Sequence, residues 1–390
     1  MKNLNRIIEE KINATLKRDK SILLLGPRQT GKTTLAKKFK ADLYLTLIDP
    51  NLRQRYEQNP GLLISQVKAL SSKKKKKLPL IVLDEVQAVP KIMDAVQILI
   101  DEQIATFFLT GSSARKLKNL LPGRIIKYQL DPLTITELIK INLDLESYLL
   151  NGTLPGIYTL NKQPIIEEEL QSYVITYLEE EIRKEALVRN LAAFAHFLEL
   201  ACIESGNLVS FRNISQEIGI AHTTVAEYYN ILEDCMVIER FDPITKSQTR
   251  KRLTTSPKFT VFDLGIRRIG AKEGIALPRE KMAQLFEQWV GLELRRLLRA
   301  KSSLAQVKFW RDHSGPEVDW VIEYQNQYLP IEVKWTNAPK LADAKHLIKF
   351  MEEYNAPKGW IICRTPEPLY ITDKITAIPW QQIRDILFHI

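Results

Sequence analysis

Residues 21–39 read SILLLGPRQTGKTTLAKKF. A short apolar run, Ser21 to Leu25, leads through a glycine-bounded loop into a segment with helical spacing. The loop, Gly26-Pro27-Arg28-Gln29-Thr30-Gly31-Lys32-Thr33, fits G-x-x-x-x-G-K-[ST] in the strand–loop–helix setting that this motif requires. Glycines let the loop wrap closely enough for backbone N–H groups to face phosphate oxygens. The helix that follows adds the partial positive charge of its N-terminus. Lys32 is placed to reach the β- and γ-phosphates of ATP, and the Thr33 hydroxyl to ligate magnesium. The stretch Gly26 to Thr34, with Thr34 just inside the helix, is the expected nucleotide cradle.

A partner motif follows. In LPLIVLDEVQ (78–87) four apolar residues form a buried strand that delivers Asp84 and Glu85 at its C-terminal end. Asp84 suits magnesium, and Glu85 is placed to polarise an attacking water. The next apolar run, ATFFLTGSS (105–113), ends in Thr110 and Ser112. Thr110 suits a sensor of the γ-phosphate; the competing reading makes Ser112 or Ser113 a helix cap. The pattern predicts strands over 21–25, 43–48, 80–84 and 105–110, and helices over 32–40, 61–70 and 91–102. Such alternation implies a parallel sheet with helices on both faces. Arg124, after Pro122-Gly123, is a candidate arginine finger for a neighbouring copy's site, with Arg115 as competitor and a plain surface arginine as the bland reading.

GPRQTGKTTL, VLDEVQ, FLTGSS, the LPGR turn, DPLTITEL and NGTLPGIY, in that order, resemble the AAA-type ATPases widespread in archaea and bacteria. Many of these carry a C-terminal domain related to the PD-(D/E)XK nucleases. The resemblance spans nearly the whole chain. It implies an α/β fold with a P-loop AAA+ core over 1–143, a helical lid and connector over 144–200, a winged helix-turn-helix over 201–275, and a restriction-endonuclease-like α/β domain over 276–390. It also implies ring-like self-association.

The composition is that of an ordinary globular chain. There are 390 residues, 45% hydrophobic and 26% charged, enough for two or three domains. The charged first twenty residues show no signal peptide, and no apolar run is long enough to span a bilayer. Three scattered cysteines suit a reducing compartment. The expectation is a cytoplasmic protein without membrane contact. The formal charge is +10, compatible with a nucleic-acid partner. Lys73 to Lys77 read as a solvated loop. Lys246, Arg250, Lys251, Arg252 and Lys258, with no acid from Pro243 to Phe262, read as a basic wing for phosphate contacts.

That wing follows SFRNISQEIGIAHTTVAEYYNILED (210–234), which reads as helix, turn at Gly219, and second helix. From Ala221 to Asp234 the second helix has no lysine or arginine and carries Glu227, Glu233 and Asp234. Base-edge readout favours Arg, Lys, Asn and Gln, so DNA binding without sequence specificity is expected.

In the C-terminal part, Glu287 lies on an amphipathic helix, and GPEVDWVIEYQNQYLPIEVKW (315–335) reads as a hairpin. If it turns on Gln325-Asn326, Asp319 falls opposite Glu332, at the ~4.5–5.5 Å of directly opposed Cβ atoms; a different turn moves the acids apart. Carboxylates so close repel unless a cation lies between them, and one magnesium would relieve that. Glu287, Asp319, Glu332 and Lys334 match the PD-(D/E)XK pattern in order and spacing, with Glu317-Val318-Asp319 in place of Pro-Asp. The resemblance implies metal-dependent DNA cleavage, or a degenerate site that keeps the residues for the fold or for binding. Trp320 and Trp335 alternate away from the acids as core. The combined expectation is a magnesium-dependent ATPase acting on DNA; the alternative is a nucleotide-dependent regulatory switch whose C-terminal domain binds a partner.

Overall fold

The computed structural model describes residues 4–72, 77–113, 117, 122–138, 144–182, 190–245, 253–313 and 315–389. The chain divides into two compact units. The first comprises residues 1–133 with 234–236, and the second 134–233 with 237–390.

In the first unit, strands β1 (Ser21–Leu25), β2 (Leu43–Thr46), β3 (Leu80–Asp84), β4 (Thr106–Gly111) and β5 (Ile125–Gln129) form one sheet in the order β2-β3-β4-β1-β5. Every pairing is parallel. Alternate side chains of the strands feed two separate cores. Leu23, Leu45, Ile81, Leu83, Phe107 and Leu109 pack with Tyr56, Leu63, Val96 and Leu99 on one face. Ile22, Leu24, Val82 and Phe108 pack with Ile8, Ile12, Leu16 and Leu35 on the other. Both faces are therefore covered by helices, which is why these strands read as continuous apolar runs. A helix that the spacing does not predict, Pro50–Gln58, precedes Gly61–Ser71. Its start is set by Asp49, whose side chain accepts from the N–H groups of Asn51 and Leu52, with Pro50 at the first helical position.

The second unit takes in the expected segments 144–200, 201–275 apart from residues 234–236, and 276–390. The helix Phe211–Ile218 ends at Gly219 in the left-handed region (φ 77°), and His222–Asp234 follows. Next come the antiparallel strands β6 (Ile238–Phe241) and β7 (Lys258–Val261). The connection to the preceding helices is polar and buried: Asp263 caps the helix Leu264–Gly270 and also accepts from Thr153 N at 2.8 Å. Gly152 (φ 72°) is required there, because an added Cβ would lie 1.9 Å from Asp263 Oδ1.

The remaining strands, β8 (Gln306–Arg311), β9 (Glu317–Tyr324), β10 (Gln327–Val333), β11 (Gly359–Cys363), β12 (Leu369–Thr372) and β13 (Ile375–Pro379), form a mixed sheet in the order β12-β13-β11-β10-β9-β8. The long helix Arg279–Ala300 packs on it through Gly291, where a Cβ would strike the Trp320 ring at 2.3 Å. The helix Lys345–Tyr354 contributes Leu347, Phe350 and Met351 to a core with Val318, Val321 and Ile361.

Candidate functional site

The nucleotide motifs meet at the C-terminal edge of the parallel sheet, the end at which open α/β sheets place their ligands. Gly26 closes tightly on the strand end; a Cβ there would lie 2.4 Å from Leu130 O. Gln29 (φ 63°) and Gly31 (φ 94°) turn the loop through the left-handed region. Lys32 is 4% exposed, and its ammonium donates to Gly26 O at 2.9 Å and Pro27 O at 3.0 Å, with Glu85 Oε1 3.9 Å away. Burial pulls its pKa below the ordinary lysine value, opposed by the charges of Glu85 and Asp84. Arg28 and Thr34 are exposed at the rim, whereas Pro27 and Thr30 are buried.

Thr33 Oγ1 donates to Asp84 Oδ2 at 2.9 Å. A hydroxyl and a carboxylate held together at the phosphate end of the loop are hard oxygen donors, the set that magnesium takes; these residues fit the ion. Thr110, fully buried, is a brace between the two acids. Its hydroxyl donates to Asp84 Oδ1 at 2.5 Å and accepts from Glu85 N at 2.9 Å. Ser112 caps no described helix; it donates to Glu85 Oε2 at 3.0 Å. Gln87, which sequence reasoning missed, donates to Glu85 Oε2 and to Ser112 Oγ. Its only signal was its place two residues after the acid pair. Arg6 was missed as well: it donates to Thr30 O at 2.7 Å and Asp131 O at 2.6 Å, tying the loop to the end of β5. Arg124 stands apart from this cluster, half-buried and forked onto Asp101 at 2.6 and 3.0 Å. Arg115 lies outside the described residues.

In the second unit the hairpin turns on Gln325 and Asn326, with Tyr324 paired to Gln327. The ladder runs to Trp320 opposite Ile331, so its next position sets Asp319 against Glu332. On the other side of β9 the register against β8 slips by one residue. This bulge puts Val318 and Val321 in the same core. Asp319 Oδ2 accepts from Val333 N at 2.7 Å, and Trp320 Nε1 donates to Glu287 O at 2.9 Å. Trp320 thus sits beside the acids, contrary to simple alternation, because the bulge breaks it. Trp320 is nonetheless fully buried, as expected of a core residue, whereas Trp335 is partly exposed, with Arg364 over its ring at 4.3 Å.

Glu332 Oε1 accepts from Lys334 Nζ at 2.7 Å, while Glu332 Oε2 is buried without a hydrogen-bond partner. Burial pushes the Glu332 carboxyl up to about 7 against the pull of Lys334. Burial, with Glu332 and Glu287 adding, holds Asp319 well above the usual carboxylate range. Glu287 is bound to Lys258 Nζ at 2.8 Å. Among the described residues, no three His, Cys, Asp or Glu side chains converge so as to hold a metal ion. The expected metal ligands Asp319 and Glu332 are neighbours, and the cluster already holds the ammonium groups of Lys258 and Lys334.

Lys258 corrects the reading of the basic wing. It is 5% exposed and points into the acid cluster, so it offers no charge to a phosphate backbone. Lys246, Arg250, Lys251 and Arg252 lie outside the described residues, as do Lys73 to Lys76.

Comparison with known proteins matches the first unit to a family and leaves the second without an activity. Residues 18–139 match a family described as an AAA domain. Residues 142–273 and 282–383 match two domains of unknown function, DUF8612 and DUF4143. The chain is 24% identical over 384 residues to an uncharacterized protein of Mycobacterium tuberculosis, covering 96% of this chain and 83% of that protein. It is 24% identical over 427 residues to one of Methanocaldococcus jannaschii, covering 96% and 87%. Among solved structures it is similar to a signal transduction ATPase with a tetratricopeptide repeat sensor from Pyrococcus horikoshii (TM-score 0.29, 14% identity, 76% of this chain and 46% of that one). Another is the replication initiator DnaA bound to AMPPCP and single-stranded DNA (TM-score 0.28, 15% identity, 60% and 89%). The family match and the grouping of Lys32, Thr33 and Asp84 agree on a P-loop domain of the AAA type. No helix among the described residues is long and apolar enough to cross a membrane.

Proposed function

We propose that this chain is a magnesium-dependent ATPase that couples hydrolysis to binding and remodelling of DNA. The observation that carries the reading is the joint placement of Lys32, Thr33, Asp84 and a braced Glu85 at one sheet edge. On nucleotide binding Lys32 exchanges its two carbonyl partners for β- and γ-phosphate oxygens. Thr33 and Asp84 would hold magnesium, which when bound neutralises charge on the phosphates. Glu85 Oε2 is fixed by Ser112 and Gln87, leaving Oε1 to accept a proton from, or orient, the attacking water. Self-assembly belongs to the proposal, with Arg124 leaving Asp101 to enter a neighbour's site.

Support for DNA comes from the charge of +10 and from the basic stretch 246–252 between β6 and β7. The second helix of the helix-turn-helix has no basic side chain, so the contact proposed is to phosphates. Cleavage is left out of the proposal, since Lys258 occupies Glu287.

The test is binding of a labelled duplex as a function of salt. Contact with several phosphates lowers affinity at least roughly tenfold between about 50 and 200 mM salt. Replacing Lys246, Arg250, Lys251 and Arg252 together by alanine flattens that dependence. Binding that ignores salt, or that the fourfold variant leaves unchanged, overturns the DNA assignment.

A further inference from the structure

Three carboxylates and two ammonium groups share the C-terminal cluster, and one ammonium comes from outside the helix and hairpin that carry the rest. Lys258 opens β7, in the hairpin that follows the helix-turn-helix. Its Nζ donates to Glu287 Oε1 at 2.8 Å and lies 5.1 Å from the centre of the Phe309 ring and 5.5 Å from that of Trp320. A carboxylate and two aromatic faces around a buried ammonium make a built cation site, filled by the chain's own cation. Two further oxygens are engaged, Glu332 Oε1 by Lys334 and Asp319 Oδ2 by the amide of Val333, while Glu332 Oε2 has no hydrogen-bond partner.

We propose that Lys258 is the resident cation of the Glu287–Asp319–Glu332 cluster, in the place where the acidic pattern implies a divalent metal, so that the chain as folded loads no metal there. Magnesium takes about six oxygen ligands at ~2.0–2.1 Å, and an ammonium bound to one of the carboxylate oxygens both occupies it and repels the ion. Loading requires Lys258 to withdraw from Glu287. The proposal is independent of the ATP and DNA reading.

The test is Mn2+ binding followed by electron paramagnetic resonance, without nucleotide, in chains that all carry Asp84→Asn to silence the first unit. Lys258→Met is expected to gain a site at least about tenfold tighter than the background, and adding Asp319→Asn is expected to abolish it. Lys258→Arg, which keeps the cation, should stay at background. Equal binding with Lys258 intact, lost on Asp319→Asn, overturns the proposal, as does a folded Lys258→Met chain that gains nothing. If Lys258→Met does not fold, lysine side-chain 15N spectra of the unaltered chain decide. A slowly exchanging Lys258 ammonium signal, identified by its absence from Lys258→Arg, should persist in millimolar Mg2+; its loss overturns the proposal.

Discussion

Glu85 sits at φ 59°, in the left-handed region that few non-glycine residues enter. Its N–H is held by Thr110 and its carboxylate by Ser112 and Gln87. That restraint is the reason to expect Glu85→Gln to lower the turnover of ATP by roughly 10²–10⁴-fold while leaving ATP binding intact, as read by single-turnover hydrolysis beside equilibrium binding. Gly26→Ala acts earlier. Its Cβ would lie 2.4 Å from Leu130 O, so the loop cannot close on phosphate, and nucleotide binding itself should be lost in calorimetry. In the second unit, Glu332 supplies a pH signature. Its carboxyl is raised from 4.5 to about 7 by burial, so the folded chain binds the proton more tightly than the unfolded one, and stability falls as pH rises through that window. At about 1.4 kcal/mol per unit the loss is on the order of 3 kcal/mol, and Glu332→Gln should avoid it. The melting-temperature advantage of the variant should therefore grow from about pH 5 to about pH 8; an advantage that is constant or shrinks would count against the buried, partnerless Oε2. Residues whose chemistry is local to one motif, such as Lys32, Thr33 and Asp84, were legible in the sequence. Lys258 was not. It follows a basic stretch that ends at Arg252, and its partner Glu287 is 29 residues away, so composition placed it in a wing while packing placed it among acids.

At the level of elements, the hairpin β9–β10 depends on a two-residue turn with both central residues at positive φ, Gln325 (48°) and Asn326 (64°). This is the conformation whose twist matches paired strands, and asparagine tolerates it. Asn326→Val should lower stability by about 1–2 kcal/mol and Asn326→Gly should not, a difference readable as a shift in the denaturation midpoint. The turn residues and the apolar alternation made the register against β10 predictable. The bulge against β8 was not, since no glycine or proline marks it, and it is the bulge that turns Trp320 toward Glu287. The helix Pro50–Gln58 was missed for a different reason. Only Tyr56 in it is buried, so it has almost no apolar stripe, and its signal was confined to the Asp49-Pro50 start.

At the scale of the whole molecule, the parallel sheet of the first unit was readable because its strands are buried on both faces and its helices alternate with them. The second unit was readable only in segments. Its parts are joined by buried polar contacts such as Asp263 to Thr153 and Arg268 to Leu150 O, and such long-range pairs leave no periodic trace. The charge of +10 also belongs to the whole chain. If that charge serves a polyanionic partner, binding should be felt at the Lys32–Glu85 site. The most direct measurement is steady-state ATP hydrolysis in magnesium, with and without linear, branched and single-stranded DNA, at low and at moderate salt. Hydrolysis that depends on Lys32 and Glu85 and is stimulated several-fold by at least one form of DNA, with the stimulation fading as salt rises, is the predicted result. Hydrolysis that no form of DNA changes, or that persists in Lys32→Ala and Glu85→Gln, would contradict the account.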